Sequence, residues 1–409
     1  MTLDAALPTL LIGTGTLVAV AVGEIPRLRM NRATIAVVGA TLLLACGLRT
    51  LPEAYAAVDG NTLVLLFGMM VLNANLRLAG FFERSAPELV TAARTPRRLL
   101  AVTVALSAGL SALLLNDTVA LGLTPLVIGM TKAAGLSPLP FLMALATAAN
   151  VGSSATVIGN PQNMIIGATS GISFARFSAM LAPQAVAGCV LVWGVIAAVY
   201  HRELAPRPLH PRVDAHQPVD SALLQKSLVA TAFLVALLLG GAPVPLASLC
   251  AASMLLVTRR LAPERVFAEI DWSLLEFFAA LFVVSDAIDA ALGACGLHDT
   301  IQAWVDSGTA GLALLTAGLS NVVSNVPAVL LLRGPVGRLP GAEHGFLVLA
   351  MASTLAGNLT LLGSVANLIV AELARREHVE LSFREYLRTG VPVTLLTLAL
   401  GTAWLAWLG

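Results

Sequence analysis

Charged residues are scarce in this sequence of 409 residues, in which Asp, Glu, Lys and Arg together make up 11%. A soluble domain carries about 25% charged residues, so this chain has too few to cover a surface that faces water. With 57% hydrophobic residues, the chain is expected to face lipid over most of its area, which argues against a soluble enzyme. The net charge is +1, and the arginines are spread over the loops, so the charge gives no indication of a nucleic-acid partner.

Cysteine is also scarce, and its four copies, Cys46, Cys189, Cys250 and Cys295, each lie alone in an apolar stretch. No pair of cysteines or histidines has the spacing of a metal site, and no Ser-His-Asp or HExxH arrangement appears. We therefore expect no resident cofactor and no enzymatic activity, with an intramembrane enzyme as an alternative. The sequence also lacks a basic region before its first apolar run, so we expect that run to remain as a membrane span.

Long apolar runs fill most of the chain, and at roughly 20 residues per span they predict about ten membrane spans. The exception lies in the middle, where residues 201–221 are rich in Pro, His and Arg, as is typical of a linker. The predicted fold is an all-α polytopic membrane protein with about ten transmembrane spans, two re-entrant hairpins and two broken helices.

Three blocks of sequence recur in the same order in the two halves of the chain: residues 71–80 match 284–293, 109–125 match 318–335, and 153–166 match 357–370. This recurrence predicts two repeats on either side of the linker. The first covers 1–200, with a hairpin at 97–133 and a broken helix at 139–168, and the second covers 222–409, with a hairpin at 308–335 and a broken helix at 345–374.

Arginines mark alternate loops between the apolar runs, and the positive-inside rule assigns each basic loop to the cytoplasm. The pattern is consistent only if each hairpin enters and leaves the membrane on one side. Each half then crosses an odd number of times, and the second half is inverted relative to the first. We therefore expect a multi-pass protein of the bacterial inner (cytoplasmic) membrane, with both termini outside and the linker in the cytoplasm.

Polar and helix-breaking residues cluster at the hairpin tips and in the broken spans. At membrane depth, irregular backbone is tolerated only where protein or a water-filled cavity satisfies it. Helix N-termini that meet there favour an anion, and freed carbonyl groups can hold a cation. For any single Ser or Thr, the alternative is a small residue at a helix contact. We expect a central substrate and ion site formed by Asn116, Asp117, Thr118, Ser154, Thr156, Asn160, Asn163, Ser324, Asn325, Asn358, Thr360 and Asn367.

Asp117 is the main candidate for coupling, because an ionisable group in mid-membrane indicates a function. It is expected to accept a proton or to ligate Na⁺, and the alternative is that it caps the second hairpin helix. Asp286 and Asp289 are weaker candidates nearer the outer end of their span. No Arg or Lys is predicted in the pocket, so a charged substrate would be balanced by helix dipoles, amides or a bound cation. The side chains that we expect to ligate Na⁺ are Asn116, Asp117, Asn163, Asn325 and Asn367.

The segments LLLNDTVALGLTPLVIGM, ANVGSSATVIGNPQNMIIG and LSNVVSNVPAVLLL together resemble the ion transporter superfamily. This superfamily includes citrate and dicarboxylate permeases, arsenite/antimonite permeases and a sodium–proton antiporter branch. The tips depart from the Ser-Asn-Thr of the dicarboxylate carriers. The Asn116-Asp117 pair is more similar to the arsenite permeases, which have a proton-coupled cycle, and other segments resemble permeases with a citrate-transporter-like domain. The resemblance implies a homodimer in which each protomer has a scaffold and a moving transport part.

Residues and resemblance together predict a secondary active transporter for a small anion or a neutral oxyacid, of carboxylate or arsenite type. Transport would be coupled to H⁺ or Na⁺, with elevator-like alternating access and the lipid bilayer as surroundings. The alternative is a Na⁺/H⁺ antiporter of the same superfamily, in which Asp117 binds Na⁺ and H⁺ in competition. A channel is less consistent with two repeats that each contain broken helices.

Overall fold

The structure is a computed structural model that describes residues 3–23, 29–83, 93–209, 219–257 and 261–409. Its secondary structure is helical, which confirms the predicted all-α fold. The helices of the first half are α1 (Leu3–Val22), α2 (Arg32–Ala45), α3 (Leu51–Ala57), α4 (Gly60–Leu78), α5 (Pro96–Leu113), α6 (Asn116–Ala133), α7 (Leu139–Ser153), α8 (Pro161–Thr169) and α9 (Phe174–Val199).

The second half repeats this order of long and short elements. Its helices are α10 (Ser221–Leu239), α11 (Val244–Leu256), α12 (Pro263–Ala268), α13 (Trp272–Ala294), α14 (His298–Val305), α15 (Gly308–Val323), α16 (Asn325–Gly337), α17 (Ala342–Ala356), the 3₁₀ turn Leu361–Gly363, α18 (Val365–Arg376) and α19 (Phe383–Leu408). Much of the predicted linker, residues 210–218, lies outside the described residues.

Many of these helices are apolar and long enough to cross a bilayer, which makes this a multi-pass membrane protein. Among the described residues six helices meet that criterion: Asp4–Val22, Gly60–Leu78, Phe174–Val199, Ser221–Leu239, Trp272–Ala294 and Phe383–Leu408. Shorter apolar helices, among them α2, α7, α11, α15 and α17, add to these. The number of spans and the inverted repeat stay predictions.

Helix breaks fall within all four segments predicted to be irregular. Helices α5 and α6 are separated only by Leu114 and Leu115, whose extended backbone ends one helix and begins the next. Helices α15 and α16 are separated by Ser324 alone. Between α7 and α8 the chain leaves the helix at Ser154 and restarts at Pro161, with Asn160 as the N-cap.

The broken helices lie at the centre of the packing. Helix α5 packs on α7, α15 packs on α17, and the long helices α9 and α19 pack on each other. Helices α5 and α7 come close together at Gly152, where an added Cβ would lie 2.2 Å from the carbonyl oxygen of Ala108. Helices α2 and α4 each pack on a helix of the opposite half, α13 and α11 respectively. This arrangement brings the two hairpin tips and the starts of α2 and α13 to one place.

Candidate functional site

A cavity of about 540 Å³ lies where the two hairpin tips face the beginnings of α2 and α13. Four of the predicted site residues line it: Asn116 and Asp117 from the first tip, and Ser324 and Asn325 from the second. The size matches a small-molecule site. The apolar part of its wall includes Phe277, Phe278, Val326, Leu362 and Leu368.

Several helices begin at this cavity. Among the described residues, α2, α6, α8, α13, α16 and α18 each contribute a residue of their first turn or their N-cap to the wall. Every helix N-terminus has unpaired N–H groups and carries about half a positive charge. A cavity that collects six such ends favours an anionic or oxygen-rich ligand.

Of the residues that the structure describes, three ionisable side chains line the cavity: Arg32, Asp117 and Asp271. The prediction of a pocket without Arg or Lys is therefore wrong. Hydropathy places Arg32 in a basic loop, but it is the first residue of α2, and the fold packs α2 against α13 beneath the tips. Asp117 interacts electrostatically with both Arg32 and Asp271.

Asp117 is not the cap of the second hairpin helix. Leu115 holds the N-cap position of α6 without a side-chain hydrogen bond, and Asp117 is the second helical residue. Among the described residues, the Asp117 carboxylate makes no hydrogen bond or ion pair. The carboxylate of Asp271, by contrast, accepts the backbone N–H of Leu274 at 3.1 Å as the N-cap of α13. Asp117 is thus the carboxylate that is available to a proton or a cation.

The two tip asparagines differ in how their side chains are engaged. Asn116 donates through Nδ2 to Oδ1 of Asn150 at 3.0 Å, and its own Oδ1 accepts the backbone N–H of Asp117 at 3.0 Å. Its backbone N–H donates to the carbonyl of Gly159 at 3.0 Å. Asn325 is only 8% exposed, and its Oδ1 has no hydrogen-bond partner. Asn325 is therefore the tip amide with an oxygen free for a ligand.

The second tip also differs in backbone conformation. Ser324 has a φ of 78°, a conformation that non-glycine residues rarely adopt and that costs on the order of 1–3 kcal/mol. It joins α15 to α16 without an intervening residue, so the chain reverses within one position. Strain of this kind is concentrated at ligand sites and switch regions.

Behind the tips lies a buried network of amides that joins the two halves. Asn150, at 2% exposure, donates to Oδ1 of Asn358 at 2.8 Å and to Oδ1 of Asn367 at 3.2 Å. Its own Oδ1 accepts from Ser364 at 3.0 Å as well as from Asn116. Polar groups buried at membrane depth are stable only when they are satisfied in this way.

Asn163 and Asn367 hold the unwound parts of the two broken helices. Nδ2 of Asn163 donates to the carbonyls of Ser153 and Thr156 at 3.1 and 2.9 Å. Nδ2 of Asn367 donates to the carbonyls of Gly357 and Thr360 at 2.9 and 3.3 Å. Both asparagines are fully buried, and these contacts make them structural supports of the site.

Asn160 and Asn358 belong to the same buried layer. Asn160 caps α8 by accepting from the backbone N–H of Asn163 at 2.9 Å, and its Nδ2 donates to Ser153 and Thr354. Nδ2 of Asn358 donates to the carbonyl of Thr147 at 3.0 Å. Neither asparagine is exposed, and neither lines the cavity.

Among the four remaining site candidates, three have side chains that contact other helices instead of the cavity. Thr118 accepts from Asn73 of α4 at 3.2 Å, Ser154 accepts from Gln184 of α9 at 2.9 Å, and Thr156 donates to the carbonyl of Ala112 at 2.6 Å. The fourth, Thr360, precedes the 3₁₀ turn and contributes its carbonyl to Asn367. Asp286 and Asp289 interact with Arg49 and His298, away from the tips.

A sequence model of the family described as Citrate transporter (CitMHS) matches residues 16–342. The chain belongs to the citrate transporter family. A silicon efflux transporter of Oryza sativa is 31% identical over 92% of this chain and 93% of its own. The putative transporter arsB of Dictyostelium discoideum is 26% identical over 91% of this chain and 87% of its own. Uncharacterized transporter Rv2684 of Mycobacterium tuberculosis is 29% identical over 93% of this chain and 94% of its own.

The fold of this citrate transporter family member is also similar to a solved structure. The crystal structure of the Alcanivorax borkumensis YdaH transporter aligns with a TM-score of 0.61 and 17% identity, covering 99% of this chain and 98% of that chain. At this identity the similarity supports the fold alone. The family and the relatives are transporters, so the prediction that the chain is a membrane transporter and not an enzyme is confirmed.

Sequence reasoning missed several residues of the site in this citrate transporter family member. The clearest omission is Asn150, a lone amide inside the apolar run of α7, where an unpartnered amide is costly. Thr354, which contacts Asn160 and Gln162, is likewise a hydroxyl residue in the apolar run of α17, where it follows Ser353. Arg32 and Asp271 were missed because they lie at helix starts that are remote from the tips in sequence.

Proposed function

We propose that this protein is a secondary active transporter that moves a small anion or oxyacid across the membrane, coupled to H⁺ or Na⁺. The observation that carries this proposal is the cavity, at which six helices begin. Its wall contains the guanidinium of Arg32 and the carboxylate of Asp117, which does not cap a helix. Such a wall can hold oxygen atoms of a substrate and, at Asp117, the coupling proton or ion. The relatives named for silicon efflux and arsB lie in the same broad class.

The proposed moving part consists of the hairpins and the broken helices. Helix α6 packs on α18 and α16 packs on α8, so each hairpin rests on the broken helix of the opposite half. Asn150 strengthens this unit through its hydrogen bonds to Asn116, Asn358 and Asn367. A unit that is connected internally in this way can shift as one body against α2, α4, α11 and α13, as elevator-like access requires.

Helix directions support the proposed inverted repeat. The first residues of α2 and α13 line the same cavity, and Arg49, just after α2, forms an ion pair with Asp286 of α13 at 2.6 Å. These two helices therefore run in the same direction. Arg77, at the end of α4, forms an ion pair with Glu269, which lies just before α13, so α4 and α13, counterparts in the two repeats, run in opposite directions.

Proteoliposomes with the purified protein test the proposed function. We expect accumulation of one member of a panel of citrate, succinate, arsenous acid and silicic acid when a pH or Na⁺ gradient is imposed, and none when both gradients are absent. Protein-free liposomes are the control. Uptake that only follows the substrate gradient, whatever the ion gradients, contradicts the coupled mechanism.

The second candidate is Na⁺/H⁺ antiport, and the observation that favours it is the presence of two carboxylates, Asp117 and Asp271, in one cavity. Oxygen ligands of this kind suit a hard cation. In this case a pH-sensitive dye enclosed in proteoliposomes reports proton movement on addition of Na⁺ without any organic or oxyacid substrate. Absence of that signal in vesicles that accumulate a panel substrate contradicts this candidate.

A further inference from the structure

Arg32 places a cation in the wall of the cavity. Its side chain is half-buried, and among the described residues it makes no hydrogen bond or ion pair. The guanidinium lies across Gly23, where an added Cβ would be 3.4 Å from Nε and 3.7 Å from Nη2. Gly23 also has a φ of 91°, which side-chain-bearing residues rarely adopt. The backbone at Gly23 thus leaves room for the arginine to lie along the cavity wall.

The two carboxylates in the cavity leave Arg32 available. Asp271 is engaged as the cap of α13, and Arg32 forms an ion pair with neither Asp271 nor Asp117. Asn325, whose buried Oδ1 has no hydrogen-bond partner among the described residues, lies in the same cavity wall. A planar guanidinium can donate two parallel hydrogen bonds to a carboxylate or another oxyanion. The amide oxygen accepts from a hydroxyl group but not from an ionised oxygen.

We infer that Arg32 selects the substrate by charge, binding an oxyanion group of the substrate so that the cavity takes an anion in preference to an uncharged oxyacid. This inference rests on the proposed transport function and narrows its substrate class. A charge-assisted contact of this kind is lost when the substrate has no ionised group, which leaves the guanidinium without a partner.

The balance of charges in the cavity ties anion binding to a proton or a cation. Among the described lining residues, ionised Asp117 and Asp271 place two negative charges against the one positive charge of Arg32. Because Asp271 is engaged as a cap, the compensating proton or Na⁺ binds at Asp117. In the described part of the chain, the helices packed on α6 add no further charge there: α7 has none, and the charged residues of α5 and α18 lie at the ends of these helices away from the tips. Anion affinity is therefore expected to rise as pH falls, by up to tenfold per pH unit.

The test compares Arg32→Gln and Arg32→Lys with the wild-type protein in proteoliposomes. Concentration-dependent uptake of citrate and succinate represents anions, and uptake of arsenous acid at neutral pH represents an uncharged oxyacid. We expect Arg32→Gln to weaken the apparent affinity for the transported anion about 10- to 100-fold, and Arg32→Lys to restore part of it. Arg176→Gln, which removes an exposed pair with Glu343, is the matched control and should keep the wild-type affinity.

The outcomes separate this inference from the proposed function. Unchanged anion affinity in Arg32→Gln overturns the role of Arg32, as does an equal loss for anion and uncharged oxyacid, which indicates a structural role. A wild-type protein that transports only arsenous acid overturns the inference and leaves the transport function standing. A wild-type protein that moves none of the probes overturns the proposed function and the inference together. Should Arg32→Gln fail to fold, the pH dependence of anion affinity is measured in the wild type and in Arg32→Lys. Anion affinity that rises as pH falls, and is weaker in Arg32→Lys, supports the inference. Anion affinity that does not change with pH and is equal in the two proteins overturns it.

Discussion

Asn163 and Asn367 make the same pair of hydrogen bonds in opposite halves of the chain. Each donates through Nδ2 to the carbonyls of the residues 10 and 7 positions earlier. Each also accepts at Oδ1 from the opposite broken helix, Asn163 from Thr354 at 3.4 Å and Asn367 from Asn150 at 3.2 Å. The unwound parts of the two interrupted helices are therefore stabilised by the same hydrogen-bond pattern in both halves.

We expect Asn163→Ala and Asn367→Ala each to destabilise the protein. Asn163→Ala leaves two buried carbonyls without their amide donor, and Asn367→Ala leaves one buried and one part-buried carbonyl, at about 1–3 kcal/mol for each unsatisfied buried group. The measurement is the midpoint of thermal unfolding of the purified protein in detergent. Asn61→Ala, at an exposed asparagine in the first turn of α4, is the control that should leave the midpoint unchanged. If Asn163→Ala and Asn367→Ala unfold at the same temperature as this control, the two asparagines are not structural supports of the site.

Asp117→Asn should abolish ion-coupled accumulation and leave the fold intact. The amide keeps the size of the carboxylate but neither takes up a proton nor carries the charge that would ligate a cation. We expect exchange of labelled for unlabelled substrate across proteoliposomes to persist while accumulation against a gradient is lost.

Asp306→Asn is the control for Asp117→Asn, because Asp306 is exposed at the end of α14 and remote from the cavity lining. It should accumulate substrate like the wild type. If the Asp117→Asn protein also concentrates substrate against its gradient, the coupling group lies elsewhere.

Gly152→Ala should disrupt the crossing of α5 and α7. The added Cβ would lie 2.2 Å from the carbonyl oxygen and 2.3 Å from the Cα of Ala108, and backbone atoms cannot move aside cheaply. Overpacking of this kind costs about 1–3 kcal/mol or more. Gly109→Ala, on α5, is the matched control because no atom lies within 4 Å of its added Cβ. We expect a lower unfolding midpoint for Gly152→Ala alone, and equal midpoints for both variants would contradict this packing.

The native cysteines provide a test of the predicted orientation. Cys46 follows α2 and Cys295 follows α13, and both are exposed at the ends of these helices away from the cavity. With α2 and α13 starting at the cytoplasmic side, a membrane-impermeant maleimide should label both cysteines from outside. Labelling that occurs only in inside-out vesicles would reverse the assigned orientation.

The Cys46→Ser/Cys295→Ser double variant is the control for this labelling. It retains Cys189 in the middle of α9 and Cys250 in the middle of α11, both half-buried. We expect it to remain unlabelled in intact cells, because residues in the middle of an apolar helix are covered by protein or lipid.

Local features of the sequence were sufficient to predict where the helices break. Asn160 followed by Pro161 is a start signal that depends on neighbouring residues only, and the structure has the N-cap and the first helical residue at these positions. The same holds for the tips, since Asn116 and Asn325 each begin a helix. Four of the predicted site residues meet at the cavity because the tips were identified from their own residues.

Partners that are distant along the chain could not be predicted in the same way. Asn150 reaches Asn358 across a separation of 208 residues, and that contact exists only after the two broken helices have met. The difference between Asn116, whose amide is engaged, and Asn325, whose oxygen is free, has the same origin. A hydrogen bond depends on distances of about 3 Å, which a pattern of residue types does not contain.

Composition, hydropathy and helix-breaking residues by themselves determined that this chain is a helical membrane protein with interrupted helices, because burial in lipid and helix termination are set over one or a few turns. Only the tertiary structure decided which charges share a cavity. Arg32 belongs to a basic segment in sequence, yet the packing of α2 on α13 brings it to the same wall as Asp117. Electrostatic interaction depends on separation in space, and that separation is defined only once the helices have packed.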